Sequence, residues 1–295
     1  MKSGFVGVVG RPNAGKSTLI NAIIGKKVAI TSNKPQTTRN VIHGIYNETD
    51  TQIIFVDTPG IHKPNHKLGD YLNKQAYTSS YDVDVILFMI DASEEFGRGD
   101  MFVLDKIKNN NKPIILVLNK IDKFSKEELF KKILEYQKIY EFNDIVPVSA
   151  LKKNNIKELI KTIKKYLTDD IKYYDDSYIT NKPISFLVSE IVREKIFNMT
   201  KEEVPHSLTC VIEGIKNKKD SSYINVAIIV DREALKKIII GKGGNMIKNI
   251  GIKARPEIEE LLGKKVYLEL YVKVIENWRD REKYLRDFGF NDFDE

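Results

Sequence analysis

Apolar runs and helical patterns alternate through the first half of the chain. Strand-like apolar runs occur at 5–9, 53–56, 114–118 and 145–148. Spacing typical of amphipathic helices begins after residue 17 and recurs at 68–79, 99–108, 126–140 and 155–167. Such alternation predicts an α/β fold with a mixed, mainly parallel sheet and helices on both of its faces.

The pattern changes after Thr168. Residues 168–181 are polar, acidic and tyrosine-bearing without a clear period, which is typical of a linker. Beyond them the sequence predicts a helix at 183–199, strands at 207–216 and 223–231, a short helix ending at Ile240, a helix at 245–262 and a strand at 266–274. We therefore expect a first domain at 1–168, a linker at 169–182 and a second, α+β domain at 183–295.

A phosphate-binding pattern follows the first apolar run. Residues 10–17 are GRPNAGKS and lead directly into a helical pattern, which is the context that such a loop requires. Glycines allow backbone N–H groups to close around phosphate oxygens, and the helix start adds a favourable dipole. We expect Lys16 to reach the β- and γ-phosphates and Ser17 to bind Mg²⁺. The predicted nucleotide-binding residues here are Gly10, Asn13, Ala14, Gly15, Lys16, Ser17 and Thr18.

The segment NKID at 119–122 predicts recognition of a guanine base. It follows an apolar run, so it lies at the carboxyl end of a strand, where open α/β sheets bind ligands. The Asp122 carboxylate can accept hydrogen bonds from the guanine N1–H and exocyclic amine, a pair of donors that adenine lacks. We expect Asn119 to tie the loops together and the stem of Lys120 to cover one face of the base.

The segment SAL at 149–151 follows the apolar run at 145–148. A backbone N–H group of this segment can reach the guanine carbonyl oxygen, which adds Ser149, Ala150 and Leu151 to the predicted nucleotide-binding residues. Because NKID and SAL occur in this order, each after an apolar run, they indicate a guanine nucleotide together more strongly than either does alone.

Two motifs between these segments predict the magnesium and γ-phosphate site. Asp57 follows the run at 53–56 and is expected to hold Mg²⁺ through water, while the Gly60 N–H can sense the γ-phosphate. The polar stretch at 31–40 contains two threonines, one of which completes the Mg²⁺ shell; Thr38 is favoured and Thr37 is the alternative. The predicted metal ligands are Ser17, Thr38 and Asp57, and the residues predicted to act in hydrolysis are Lys16, Thr38 and Gly60.

Composition fits two soluble domains. The chain has 295 residues, 42% of them hydrophobic, and no apolar stretch approaches the length of a membrane span. The N-terminus runs directly into the first strand without a signal-type segment, so we expect a cytoplasmic protein. The single cysteine, Cys210, excludes an intramolecular disulfide and is expected to be a buried apolar residue.

A GxxG tetrad in the second half indicates RNA binding. GKGG at 241–244 lies in the order helix, strand, strand, helix, GxxG, helix, strand, which resembles a type II KH domain that grips about four nucleotides of single-stranded RNA. The whole chain has a net charge of only +7, but residues 236–255 contain six basic and no acidic residues, which suits a polyanion. The predicted RNA-binding residues are Gly241, Lys242, Gly243, Gly244, Lys248, Lys253 and Arg255.

The motifs of the first domain together resemble the translation-factor class of GTPases. QTTR at 36–39 and DTPGI at 57–61 narrow the resemblance to the branch that contains the Era family. Resembling segments in the second half are SEIVREK at 189–195, EVPHS at 203–207 and WRD at 278–280. Ile61 stands where Ras-like enzymes have the glutamine that orients the attacking water, which predicts slow intrinsic hydrolysis. In relatives an asparagine at the position of Asn13 helps to bind K⁺; that role and plain support of the loop both remain open.

The resemblance implies a P-loop GTPase, using GTP/GDP and Mg²⁺, that assists maturation of the small ribosomal subunit. Its KH domain would hold a single-stranded segment near the 3′ end of small-subunit (16S) ribosomal RNA, and we expect a monomer. Peripheral membrane association is reported for relatives, and only a modest basic surface supports it here. Three interpretations remain open: an RNA-gated GTPase in ribosome assembly, an RNA-binding module with a structural nucleotide, and a membrane-associated regulatory GTPase that couples growth or the cell cycle to translation.

Overall fold

The computed structural model describes residues 1–32, 34, 37–59 and 66–290. These residues divide into two units. The first unit comprises the described residues up to 59 together with 72–181, and the second comprises 66–71 together with 182–290. Each unit has its own sheet and its own buried apolar core.

A six-stranded sheet forms the centre of the first unit. Its strands are β1 (Lys2–Val9), β2 (Ile42–Glu48), β3 (Thr51–Asp57), β4 (Val85–Asp91), β5 (Ile114–Asn119) and β6 (Asp144–Pro147), in the order β2-β3-β1-β4-β5-β6. β2 pairs antiparallel with β3, and the other four neighbouring pairs are parallel. The mixed, mainly parallel sheet predicted from the apolar runs is confirmed.

The helices in this half of the chain are α1 (Lys16–Ile24), α2 (Lys67–Tyr81), α3 (Arg98–Ile107), α4 (Lys126–Gln137) and α5 (Ile156–Ile163). Ser125 and Glu128 start α4 with a reciprocal capping box. This helix ends at Gln137, short of the predicted residue 140, because the Lys138 N–H donates only three residues back, to Glu135. α5 ends four residues before the predicted 167, since the N–H groups of residues 165 and 166 make the same tighter turn.

Both faces of the first sheet are buried. Strands β3, β4 and β5 are buried at every position. α1 and α5 contribute Leu19 and Leu159 to the core on one face, and α3 and α4 contribute Leu104 and Tyr136 to the core on the other. Burial on both faces explains why these strands are continuous apolar runs rather than alternating ones. Polar side chains are confined to the strand ends, where the site lies.

The segment predicted as a linker makes specific contacts with the first unit. The backbone N–H groups of Tyr173 and Tyr174 donate to Oε1 of the buried Gln52 at 2.8 and 2.9 Å, and Gln52 Nε2 donates to the Tyr174 carbonyl at 2.8 Å. The Tyr173 ring packs edge-on against Phe5, with 4.9 Å between ring centroids. An isolated β-bridge also joins residue 180 to residue 44 in β2. These contacts hold residues 169–181 against the first unit.

The second unit combines a three-stranded sheet with helices. Its elements are α6 (Ile184–Met199), β7 (Leu208–Asn217), β8 (Ser221–Val230), α7 (Glu233–Ile240), α8 (Asn245–Leu262), β9 (Lys265–Val274) and α9 (Glu282–Asp287). The sheet order is β7-β8-β9, with β7 and β8 antiparallel and β8 and β9 parallel. The predicted order of helices and strands around the GxxG tetrad is confirmed.

The helices of the second unit cover one face of its sheet. Alternate residues of β9, including Val266 and Val272, pack with apolar residues of α6, α7 and α8. Cys210 lies buried in this core, as predicted. The alternation in β9 therefore does indicate one buried face, and the side chains between these positions lie on the other face. Within the described ranges, no helix has the length and apolar character needed to cross a membrane.

Candidate functional site

The predicted phosphate loop connects β1 to α1, and two of its glycines are closely packed. A Cβ atom on Gly10 would lie 2.3 Å from the carbonyl oxygen of Met89 in β4. Gly15 has a φ of +101°, and a Cβ atom there would lie 2.3 Å from Nδ2 of Asn119. Both positions therefore require glycine, and they allow the loop to lie directly against the carboxyl ends of β4 and β5.

The side chain of Lys16 is buried within this loop. Its ammonium group donates hydrogen bonds to the carbonyl oxygens of Gly10 and Arg11, at 2.9 and 3.1 Å. Burial lowers the pKa of Lys16, and the Asp57 carboxylate acts in the opposite direction. The ammonium group is thus held where it can exchange backbone oxygens for the phosphate oxygens of a nucleotide.

The three predicted magnesium ligands lie together. Ser17 Oγ donates to Asp57 Oδ2 at 2.8 Å and lies 3.1 Å from Thr38 Oγ1. Thr38 Oγ1 is 3.4 Å from the same carboxylate oxygen. The other oxygen, Asp57 Oδ1, is buried and has no hydrogen-bond partner among the described residues. A buried carboxylate oxygen left unpaired beside two hydroxyl groups fits Mg²⁺, which binds oxygen ligands.

These residues line a cleft between the phosphate loop and the polar stretch at 31–40. Thr37 also borders the cleft, but its hydroxyl donates to the Lys34 carbonyl at 2.7 Å, whereas the Thr38 hydroxyl is directed to Ser17. Predicted residues that line the cleft are Asn13, Gly15, Lys16, Ser17, Thr18 and Thr38. Gly60, predicted to sense the γ-phosphate, lies outside the described residues.

Lowering the pH is expected to weaken Mg²⁺ binding at Asp57 at higher pH values than for an ordinary aspartate. Burial raises the pKa of Asp57, and Lys16, Ser17 and Thr38 offset this only in part. Because the carboxyl group must lose its proton to bind the ion, protons begin to compete at a higher pH. Below that pKa, the Mg²⁺ concentration that half-saturates GTP binding should rise by up to about tenfold per pH unit.

Magnesium titrations of GTP binding at a series of pH values measure this effect. Asp57→Asn is the matched control, since its amide does not ionise in this range while the phosphates of GTP titrate identically in both proteins. The variant should need more Mg²⁺ at every pH and show a shallower pH dependence. Equal slopes for the two proteins would show that Asp57 does not titrate in this range.

Asn119 links the phosphate loop to the loop after β6. Its Nδ2 donates to the Ala14 carbonyl at 2.8 Å, and its Oδ1 accepts from the Ala150 N–H at 3.0 Å. Nearby, Ser149 Oγ donates to Asp122 Oδ1 at 2.5 Å. The structure therefore brings the two guanine segments together beside the phosphate loop, with the Asp122 carboxylate oriented as an acceptor. Leu151, the third residue of its segment, is 74% exposed.

Asp91 is a site residue that the motif analysis did not identify. It ends β4 in register with Asn119, and its Oδ2 accepts from the Lys120 ammonium group at 2.5 Å. Burial alone would raise the pKa of Asp91, but hydrogen bonds from Lys120 and Ser93 outweigh it and lower the pKa. This ion pair fixes the Lys120 stem that is predicted to cover the base. The available signal was an acidic residue directly after the apolar run of β4.

The GxxG tetrad forms the turn between α7 and α8. Gly241 has a φ of +73°, and a Cβ atom there would lie 2.7 Å from Cβ of Met246. Gly243 and Gly244 have φ values of +59° and +77°, but a Cβ atom on either would meet nothing within 4 Å. Gly241 is therefore needed for packing, while the next glycines leave the outer side of the loop open. Lys242, between them, is exposed.

The other predicted RNA-binding residues lie along α8, and all are exposed. Lys248 and Arg255 are seven residues apart and share one side of the helix, whereas Lys253 is turned away from Lys248 by about 140°. The structure therefore places Lys248 near the tetrad and Arg255 farther along the same side. Lys253 lies off that line.

Comparisons with known proteins agree with both halves of this description. A family model described as "50S ribosome-binding GTPase" matches residues 5–120, and a KH domain model matches residues 203–279.

Two crystal structures of Era are similar along nearly the whole chain. One is an Aquifex aeolicus Era variant bound to GDP and AlF₄⁻, and the other is Era in complex with MgGDPNP and nucleotides 1506–1542 of 16S ribosomal RNA. Each is 47% identical to this chain with a TM-score of 0.94, and the match covers 98% of this chain and 99% of the other. Identity at this level over both domains shows that the chain belongs to the Era family of GTPases.

Proposed function

We propose that the protein is a monomeric, cytoplasmic GTPase switch that binds 16S ribosomal RNA near its 3′ end and assists assembly of the small ribosomal subunit. The observation that carries this proposal is the similarity, along nearly the whole chain, to Era in complex with MgGDPNP and nucleotides 1506–1542 of 16S ribosomal RNA. The same similarity favours ribosomal RNA over a membrane-associated regulatory role.

The first unit would bind GTP at both its phosphates and its base. Backbone N–H groups of residues 10–17 would close around the phosphates, and the Lys16 ammonium group would neutralise the β- and γ-phosphates. Asp122, oriented by Ser149, would accept from guanine, and an N–H of residues 149–151 would donate to the guanine carbonyl. A role of Asn13 in binding K⁺ stays a prediction.

Magnesium fits the cluster already described. When bound, Mg²⁺ neutralises charge on the phosphate oxygens and orients them. Ser17, Thr38 and Asp57 would hold it, so that the hydroxyl groups turn from the carboxylate towards the ion. Thr38 belongs to the polar stretch at 31–40, and its engagement would tie that stretch to the triphosphate state.

Hydrolysis would be slow without an activating partner. Ile61 has no polar group with which to orient the attacking water. Lys16 would stabilise the negative charge that develops during phosphoryl transfer. Thr38 and Gly60 would lose their contacts once the γ-phosphate leaves, which is how the nucleotide state would be passed to the loops that follow them.

The second unit would hold single-stranded RNA at the GxxG loop. The open space around Gly243 and Gly244 allows a sugar-phosphate backbone to approach, and the N–H groups at the start of α8 point towards it. Lys242 and Lys248 would neutralise phosphates at the loop. Arg255 and Lys253 would contribute charge farther along the strand.

Crosslinking with sequencing of the bound RNA, in GTP-analogue and GDP states, tests the proposal. We expect a single-stranded site near the 3′ end of 16S ribosomal RNA that is enriched with the GTP analogue, because the nucleotide is proposed to gate RNA binding. Equal crosslinks at that site in both states would mean an RNA-binding module with a structural nucleotide. Crosslinks scattered over unrelated RNA would overturn the ribosomal assignment.

A further inference from the structure

Two exposed tyrosines stack on the face of the second sheet that the helices leave uncovered. Tyr223 in β8 and Tyr267 in β9 are paired in the strand register. Their rings are nearly parallel, with 4.6 Å between centroids and an interplanar angle of 10°. They are 38% and 59% exposed, respectively. Large aromatic rings paired in the open on a sheet are a feature that core packing does not explain.

A cation covers one end of this stack. The Lys218 ammonium group lies 4.7 Å from the centre of the Tyr223 ring. Tyr267 occupies one face of the Tyr223 ring, so Lys218 must lie over the other face. The resulting tyrosine stack is Lys218, Tyr223, Tyr267, in that order. Because β9 is the edge strand, the outer face of Tyr267 lies beyond the last strand of the sheet.

The outer face of Tyr267 borders a hollow in which positive charge prevails at the rim. Arg255 and Lys265 line the hollow together with Glu259 and Glu269. Glu259 is already engaged, since one of its oxygens accepts from the backbone N–H of residue 266 at 3.0 Å. Two further lysines, at 218 and 264, lie at the same end of the sheet. An anionic ligand is therefore favoured beside the ring.

We propose that the outer face of Tyr267 stacks an unpaired base of bound RNA, next to phosphates neutralised by Arg255 and Lys265. Every base has a π-face, and single-stranded nucleic acid binds where aromatic rings lie beside a basic groove. The site extends the proposed RNA-binding function and rests on it. Arg255 lies ten residues into α8, about 15 Å along the helix from the GxxG loop. An RNA strand would thus reach Tyr267 only after leaving the four-nucleotide clamp.

A peptide strand added to the edge of β9 is the competing occupant. It would bind through backbone hydrogen bonds of β9, which do not need a particular ring at position 267. Charged residues at alternate positions of this edge, including Lys265 and Glu269, disfavour such pairing. The stacked pair with its cation instead presents a flat, polarised ring, which suits a base.

The test compares the full-length protein with Tyr267→Ala and Tyr267→Phe. Affinity is measured by fluorescence anisotropy for two labelled RNAs: the fragment 1506–1542 of 16S ribosomal RNA, and a short single-stranded piece of about six nucleotides that little more than fills the clamp. We expect Tyr267→Ala to weaken binding of the long RNA by about fivefold to 150-fold, and Tyr267→Phe to preserve it. Neither variant should change binding of the short RNA.

Matched controls separate this site from the proposed RNA function itself. Phe130→Ala removes a ring that is 62% exposed on α4 and should have no effect on either RNA. The slope of affinity against salt should stay unchanged in Tyr267→Ala, because no phosphate contact is removed, whereas Lys242→Ala should reduce it by about 0.7 for each lost contact with a single strand.

Three outcomes would overturn the site. Long-RNA affinity that is equal in Tyr267→Ala and the wild type would mean that no base stacks there, even if the clamp binds RNA as proposed. Equal losses for long and short RNA, or a fall in thermal midpoint, would mean that Tyr267 acts only through the fold. Failure of the wild type to bind either RNA would instead contradict the proposed RNA function.

Discussion

Asp122→Asn is expected to weaken GTP binding by about hundredfold or more and to shift the preference towards xanthine nucleotides. The Asp122 carboxylate accepts from Ser149 Oγ at 2.5 Å and is proposed to accept from guanine as well. An amide in its place would direct N–H groups at the donors of guanine and leave polar groups unpaired. Xanthine has a carbonyl oxygen where guanine has its amine, so it can accept from the new amide.

Calorimetric titration with GTP and with xanthosine triphosphate measures this change. Asp105→Asn is the matched control, because Asp105 is exposed on α3 and pairs only locally with Lys108, at 2.6 Å. Ser149→Ala should lower the affinity for both nucleotides without changing the preference, since it removes the orienting hydroxyl and keeps the carboxylate. Unchanged GTP affinity in Asp122→Asn would refute the assignment of the base-recognition residue.

Gly243→Asp is expected to reduce RNA binding by at least about hundredfold while leaving GTP affinity unchanged. Gly243 has a φ of +59°, which aspartate tolerates better than most residues, and its Cβ position is open. The loop should therefore keep its conformation. The new carboxylate would face the sugar-phosphate backbone and oppose the charge of Lys242, so like-charge repulsion would replace attraction.

Anisotropy with the 3′-terminal RNA and calorimetry with GTP measure the two affinities in the same protein. Gly243→Asn has nearly the same shape without the charge and should retain most of the RNA affinity. Gly241→Ala is an unsuitable control, because its Cβ atom would lie 2.7 Å from Met246 and disturb α8. If the aspartate variant still binds RNA normally, the gripping loop must lie elsewhere.

Most of the fold could be predicted because its strands are buried in different ways in the two units. Burial on both faces produces the apolar runs of β3 to β5, and burial on one face produces the alternation of β9. Helix ends were less predictable: the spacing of apolar residues continues past Gln137 and Ile163, while backbone N–H groups there turn to acceptors three residues back. Those local hydrogen bonds leave no periodic signal.

The site could be located from motifs, but its partners could not. Thr37 and Thr38 are equivalent as sequence, and only the placement of their hydroxyl groups distinguishes them. Asp91 approaches Lys120 because β4 and β5 are neighbours, a pairing made in three dimensions. The tyrosine stack likewise depends on the register of β8 and β9, which puts residues 223 and 267 side by side.

The contacts of residues 169–181 have a consequence for how this protein can be divided into modules. A fragment cut at 168 would strip the backbone partners from Gln52, a fully buried amide, and uncover the ring of Phe5. The self-sufficient GTPase module therefore extends to 181, well past its last helix. Recombination that exchanges the RNA-binding half would preserve the nucleotide switch only where the breakpoint falls after this segment.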